Sequence, residues 1–132
     1  MEPRIYCRKY LRTTPDIPLY GSINITQVGL KHVRTGTAKI RILDISAGGL
    51  RFVSSLKFPA DCSLIIQIVF TLNQVKFCLD GHIVHVSGTE VCEYEYGLCF
   101  TEPDRNLRES VKQLFYTKLS GQNRNMIIFR FL

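Results

Sequence analysis

Arg8 and Arg12 stand four residues apart in the segment Arg8-Lys9-Tyr10-Leu11-Arg12, ahead of the first strand-like stretch. An arginine fork binds phosphate bidentately and matches the O6 and N7 acceptors of guanine, so a pair of forks can clamp a guanine nucleotide from two directions. By itself R-x-x-x-R is also what a solvated basic tail shows, since it arises by chance in an arginine-rich chain. A second group is Asp44-Ile45-Ser46-Ala47-Gly48-Gly49. Its aspartate can accept from guanine N1 and N2, its serine hydroxyl can donate or accept, and a glycine lets backbone approach a ligand closely. Read alone, it is a turn with an Asx cap.

Other residues invite chemistry that their setting does not support. His82 and His85 form an H-x-x-H pair, but residues three apart on a strand face opposite sides, so one metal ion would not meet both. Ser46 has no general base near it in sequence. Cys7 adjoins Arg8, whose charge lowers a thiol pKa, yet a single cysteine in a terminal segment is ordinarily inert. Five cysteines, at 7, 62, 78, 92 and 99, include no C-x-x-C pair. Neither a disulfide framework nor a zinc knuckle is suggested, and a reducing cytoplasm is the expected location. No catalytic residue, metal or cofactor is expected.

These groups need a scaffold, and composition bounds it. The 132 residues are 45% hydrophobic and 21% charged, which fits one domain with a packed core and excludes a disordered chain. The start, Met1-Glu2-Pro3-Arg4, lacks the apolar segment of a secretory signal. The longest nearly apolar run, Leu64 to Leu72, is broken by Gln67 and Thr71 and is far short of the roughly 20 residues of a spanning helix, so a soluble protein is expected, without membrane insertion. Net charge is +6, but residues 1–57 hold ten Lys or Arg against Glu2, Asp16 and Asp44, giving +7, and the remainder nets −1. An excess confined to one part of the chain reads as a surface for an anion, whether nucleotide, nucleic acid or membrane.

Leu19 to Thr26 alternates apolar and polar residues as a half-buried strand does. A basic turn, Gly29 to Thr37, leads to a second strand at Ala38 to Leu43. The turn at Asp44–Gly49, with a glycine at positive φ, precedes a third strand through Leu50, Phe52 and Val53. Leu64, Ile66, Ile68, Phe70 and Leu72 share one face of a long strand, joined by Asn73-Gln74 to Val75, Phe77 and Leu79. Gly81 reads as a bend or bulge. Tyr94, Tyr96, Leu98 and Phe100 form the buried face of a further strand. About six short strands without intervening helices argue for an antiparallel sandwich or small barrel. Then the period changes. Pro103 and Asp104 suit a helix start, Leu107, Val111, Leu114, Phe115 and Leu119 recur at helical spacing, and Gly121 is a stop.

Taken together, R-x-x-x-R at Arg8 and Arg12 and D/N-x-S-x-x-G at Asp44, Ser46 and Gly49 resemble the paired motifs of the PilZ domain, a bacterial receptor for the second messenger cyclic di-GMP. Leu79-Asp80-Gly81-His82-Ile83-Val84 and Tyr96-Gly97-Leu98-Cys99-Phe100 look like that family's later strands. The resemblance implies an all-β fold with a C-terminal helix, a six-stranded antiparallel barrel, with ligand held on its outer surface by the arginine segment. Arg4 forms an overlapping R-x-x-x-R with Arg8, and Lys9 follows the first arginine as a basic residue often does in the family. Arg8 and Arg12 would supply charge, stacking and guanine contacts, with Arg4 and Lys9 near the phosphates. Asp44, Ser46 and Gly49 would read one guanine and its ribose-phosphate, assisted by Gly48 and Arg51.

The expected organisation is a basic switch segment at 1–18, the barrel at 19–101, the helix at 102–120 and an apolar tail at 121–132. The function implied is that of a non-enzymatic cyclic di-GMP receptor whose ligand orders the arginine segment and changes binding to an unidentified downstream protein. Two alternatives stand beside it. A basic barrel binding nucleic acid accounts for the charge but not for Asp44-x-Ser46-x-x-Gly49, and a PilZ-like adaptor would act by protein contact without ligand. Met126 to Leu132 is apolar on both faces, and cover by the protein's own barrel, by a second copy in a homo-oligomer, or by a partner is expected.

Overall fold

Strands form where apolar and polar residues alternate, because a period of two puts every second side chain on one face of the pleat. In the computed structural model, which describes residues 12–15, 17–58, 63–88 and 92–121, they are β1 (Leu19–Val28), β2 (Lys31–His32), β3 (Ala38–Ser46), β4 (Gly49–Ser54), β5 (Leu64–Leu72), β6 (Val75–Gly88) and β7 (Tyr94–Phe100), followed by helix α1 (Arg105–Gly121). The hydrogen-bonded order of this seven-stranded sheet is β2-β1-β3-β4-β7-β6-β5, and β1 also pairs with β5. That pairing closes β1 and β3 to β7 into a six-stranded antiparallel barrel with β2 as a short addition outside β1.

The inward faces meet as one core. Leu64, Ile66, Ile68, Phe70 and Leu72 are all buried, as their shared face requires, and they meet Ile23, Ile40, Phe52, Ile83, Tyr96 and Leu98. Each such aliphatic side chain contributes about 1.5–3 kcal/mol when fully buried. Tyr96 stacks on Phe52 at 5.1 Å. Its hydroxyl donates to the Leu56 carbonyl at 2.6 Å and accepts from the Phe58 N–H at 2.7 Å, which ties the loop after β4 over one end of the barrel. Burial pushes the Tyr96 phenol above its ordinary pKa.

α1 closes the other end. Asp104 caps it, Oδ1 accepting from the Leu107 N–H at 2.8 Å, as a residue at the helix N-cap does. Leu107 and Val111 then enter the core, and Phe115 is buried behind them. No helix of the described residues is long and apolar enough to cross a membrane.

Three local readings change. Asp44 is not in a turn: β3 runs on to Ser46. Gly81, read as a bend or bulge, carries no register shift: it pairs with Ile66 of β5 and Phe100 of β7, and a Cβ there would lie 2.6 Å from the Cys99 carbonyl oxygen, so the residue answers a close approach of β7. The basic turn after β1 is itself a hairpin, Gln27 pairing with His32 and Val28 with Lys31.

The β5–β6 turn holds Asn73 and Gln74 at φ of 52° and 68°. A two-residue hairpin turn with both centres left-handed favours Asn-Gly, so Gln74 is strained. Gln74→Gly is expected to stabilise the protein by about 0.5–1 kcal/mol, seen as a higher melting temperature; an unchanged or lower one would contradict the strain.

Candidate functional site

The site depends on one extra residue in β3. Ile40 and Ile42 point into the core, and unbroken alternation would send Asp44 after them. The register of β3 against β4 instead shifts between Ile42 and Asp44. A bulge of this kind re-aims the side chains beyond it. Asp44 therefore shares the outer face with its partner Arg51, and Ile45 takes the inward position, fully buried.

Asp44 is 5% exposed despite facing outward. Arg51 Nε donates to its Oδ2 at 2.7 Å, and Arg51 Nη1 donates to Glu95 Oε2 at 2.6 Å. Burial works against the Arg51 charge, but the hydrogen bonds and charges of Asp44 and Glu95 outweigh it and raise the guanidinium pKa. The second oxygen, Asp44 Oδ1, has no hydrogen-bond partner among the described residues, and Arg12 Nε stands 3.9 Å from it. Arg12 is held there by the backbone. Thr13 N–H donates to the Ile45 carbonyl at 3.0 Å and Ile45 N–H to the Thr13 carbonyl at 2.9 Å, so the segment before β1 is pinned beside β3.

Ser46, 2% exposed, serves the turn. Its Oγ donates to the Gly49 carbonyl and accepts from the Gly48 N–H, both at 3.2 Å, so the cap expected of the aspartate is made by the serine. Neither Gly48 nor Gly49 has positive φ; among the described glycines Gly29 does. Gly49 is required for another reason, because a Cβ on it would overlap the Leu98 carbonyl oxygen of β7. The Gly48 carbonyl in turn accepts from the Phe100 N–H at 2.9 Å.

The structure thus gathers Arg12, Asp44, Ser46, Gly48, Gly49 and Arg51 at one edge of the barrel, on its outer wall. Arg4, Arg8 and Lys9, with the rest of 1–11, lie outside the described residues, as does Met126 to Leu132. Sequence reasoning missed Glu95 and Thr13. Glu95 alternates outward on β7, a readable signal, but only the β4–β7 pairing, with Arg51 opposite Gly97, shows which cation it meets. What the arrangement offers chemically is two guanidinium groups about a carboxylate whose Oδ1 has no hydrogen-bond partner among the described residues, next to the backbone of Gly97.

A second register shift, between Ile83 and His85, places His82 opposite Cys99 and His85 opposite Gly97. Both histidines therefore share the outer face, against the plain alternation. No group of three or more metal-ligating side chains occurs among the described residues. Cys78 and Cys92 are free thiols, but Cys99 is disulfide-bonded, which the odd cysteine count had not suggested. His82 is partly buried, Nε2 has no hydrogen-bond partner among the described residues, and burial lowers its pKa below the ordinary 6.5. The folded state then binds this proton less readily than the unfolded chain, so stability is full above pH 6.5 and is lost as pH falls through that value toward the folded pKa. His82→Gln should flatten that slope in melts between pH 7 and about pH 5; an unaltered slope would assign it to other groups.

Sequence comparison settles the family. The profile described as PilZ domain matches residues 7–117. The chain belongs to the PilZ domain family. A comparison with curated proteins finds no match. This PilZ domain is similar in fold to the Bacillus subtilis inhibitor of motility MotI/DgrA, with a TM-score of 0.64 at 15% identity, covering 87% of this chain and 53% of that one. It is similar to the PilZ domain of YcgR from Escherichia coli, solved with cyclic di-GMP, at 0.59 and 15% identity over 90% and 98% of the two chains. For K. pneumonia MrkH in its apo state the TM-score is 0.60 at 12% identity, over 86% and 52%. The chain thus spans about half the length of MotI and MrkH.

Proposed function

We propose that this PilZ domain is a cyclic di-GMP receptor, a binding module without turnover, whose ligand lies on the outer wall between the arginine segment and the Asp44–Gly49 edge. The observation that carries the reading is the buried Asp44 carboxylate, one oxygen held by Arg51 and the other facing Arg12 with no hydrogen bond among the described residues. A guanine N1–H and N2–H pair is a donor set suited to that oxygen, and Arg12 is near enough to turn to a phosphate or a guanine edge. Its likeness to the YcgR domain solved with cyclic di-GMP supports the same ligand class. Ser46 and Gly49 act by fixing the turn that presents Asp44, and Arg51 with Glu95 fixes the carboxylate.

Because Arg12 already stands beside Asp44, the ligand's addition is contact with Arg8, assisted by Arg4 and Lys9. That change alters the surface offered to a downstream protein. Isothermal titration of the pure chain with cyclic di-GMP, cyclic di-AMP and a short single-stranded RNA tests the reading. Cyclic di-GMP alone should bind tightly. Equal binding of cyclic di-AMP would overturn guanine readout, RNA binding alone would favour a nucleic-acid barrel, and no binding would favour a ligand-free adaptor. In hydrogen exchange, residues 4–11 should gain protection with cyclic di-GMP, and equal protection would remove the switch.

A further inference from the structure

β7 carries a covalent bond that the Asp44–Gly49 edge does not account for. Cys99 is disulfide-bonded, whereas Cys78 and Cys92 are free thiols. Of the five cysteines in the chain this leaves Cys7 or Cys62 as its partner, both outside the described residues. Cys99 lies between Leu98 and Phe100, whose side chains enter the core, so its own side chain alternates to the outer face. Its cross-strand neighbours there are Gly49, which belongs to the Asp44–Gly49 edge, and His82.

Strand register decides between the two partners. Ile66 of β5, Gly81 of β6 and Phe100 of β7 stand level, and β5 and β7 are each antiparallel to β6. Ser63 is therefore two strands across from Cys99 and two residues further back, about 11 Å from it between Cα atoms. The Ser63 carbonyl accepts from the Gly29 N–H at 2.8 Å, which holds it toward β1 and away from β7. Cys62, one residue beyond Ser63, stays outside the roughly 7 Å between Cα atoms that a disulfide spans. Cys7 meets no such limit. Thr13, Ile45, Leu50 and Leu98 stand in one row across the sheet, so Thr13 is three strand spacings, about 14 Å, from the residue next to Cys99. The six residues from Cys7 to Thr13 reach about 20 Å.

We propose that Cys7 and Cys99 form a redox-controlled clasp that lays the segment Arg8 to Arg12 across β4 beside Asp44. One end of this strap is the pair of hydrogen bonds between Thr13 and Ile45, and the other is the disulfide, since Cys7 directly precedes Arg8. Closure joins the two Sγ atoms, and their two protons and two electrons pass to a low-molecular-weight disulfide, which leaves as two thiols. A reductant reverses it. In the closed form both arginines are ordered before ligand arrives, so less is lost on binding and affinity rises. That effect on ligand rests on the receptor reading; the clasp itself does not.

The full chain is prepared oxidised with glutathione disulfide and reduced with dithiothreitol. Mass spectrometry of a non-reducing digest, with free thiols blocked, is expected to join the Cys7 and Cys99 peptides in the oxidised chain alone. Without ligand, residues 8–12 should exchange amide hydrogens more slowly in the oxidised form. Titration with cyclic di-GMP should show about tenfold tighter binding by the oxidised chain, the ordering cost of roughly two long side chains. Cys7→Ser and Cys99→Ser should each abolish both differences, and Cys62→Ser should keep them. A Cys62–Cys99 peptide, a cross-linked dimer on a non-reducing gel, or equal exchange of residues 8–12 in the two forms would overturn the clasp. Equal or weaker binding by the oxidised chain would overturn its control of ligand. If neither form binds cyclic di-GMP the receptor reading falls, and the peptide map and exchange still decide the clasp.

Discussion

Asp44→Ala is expected to weaken cyclic di-GMP about 10- to 100-fold while the barrel stays folded. A hydrogen bond to a charged group contributes about 1.5–3 kcal/mol, and each 1.4 kcal/mol is about tenfold in affinity. Breaking a buried ion pair is ordinarily destabilising because it strands the remaining charge. Here the remaining charge is not stranded: Arg51 keeps Glu95 at 2.6 Å and its side chain is 40% exposed to water. The carboxylate itself is the buried group, with Oδ1 lacking a hydrogen bond among the described residues. Asp44→Asn keeps the shape and one acceptor and should fall between wild type and alanine. Titration calorimetry and melting of the same samples separate the two effects. Wild-type affinity in Asp44→Ala would remove Asp44 from the site, and affinity lost only with a collapsed melting temperature would make its role structural.

Gly49→Ala is expected to lower the melting temperature by about 10 °C, with or without ligand. The atom that the new methyl would overlap is the Leu98 carbonyl oxygen, which belongs to the backbone of a paired strand and cannot swing aside. Relief requires β4 and β7 to separate where Gly49 opposes Cys99 and Leu50 opposes Leu98, both pairs buried. Overpacking of this kind costs about 3 kcal/mol, which at this chain length is about 10 °C. Gly36→Ala is the control, since a Cβ there meets nothing within 4 Å and should change little. Equal melting of the two variants would show that the β4–β7 contact yields more easily than its geometry implies.

Periodicity was enough to read the barrel strands and the helix, because a closed barrel with one buried face leaves a clean alternation at Leu64 to Leu72 and because Asp104 caps a run with helical spacing. Register shifts were not readable. A bulge adds one residue without a marker of its own, so by alternation alone β3 ends at Leu43 and Asp44 falls in a turn, whereas the strand runs on to Ser46. Glycine types give position but not purpose: Gly49 reads as part of a turn and Gly81 as a bend or bulge, and the structure adds that both admit the backbone of β7. That purpose lies in a strand some 20 to 50 residues further on. The same distance hid Glu95, whose connection to Arg51 exists only once β4 and β7 are neighbours.

The two hydrogen bonds between Thr13 and Ile45 act as a tether. With Thr13 fixed, connectivity alone confines Arg8, five residues before it, to within about 18 Å of that point. In the proposed complex an arginine so confined would reach the Asp44 edge as an intramolecular group, at an effective concentration in the millimolar range. Its engagement of a bound ligand then depends on geometry rather than on a second encounter. A peptide of residues 1–12 supplied to a chain lacking them would have to reach millimolar concentration to replace what two backbone hydrogen bonds provide.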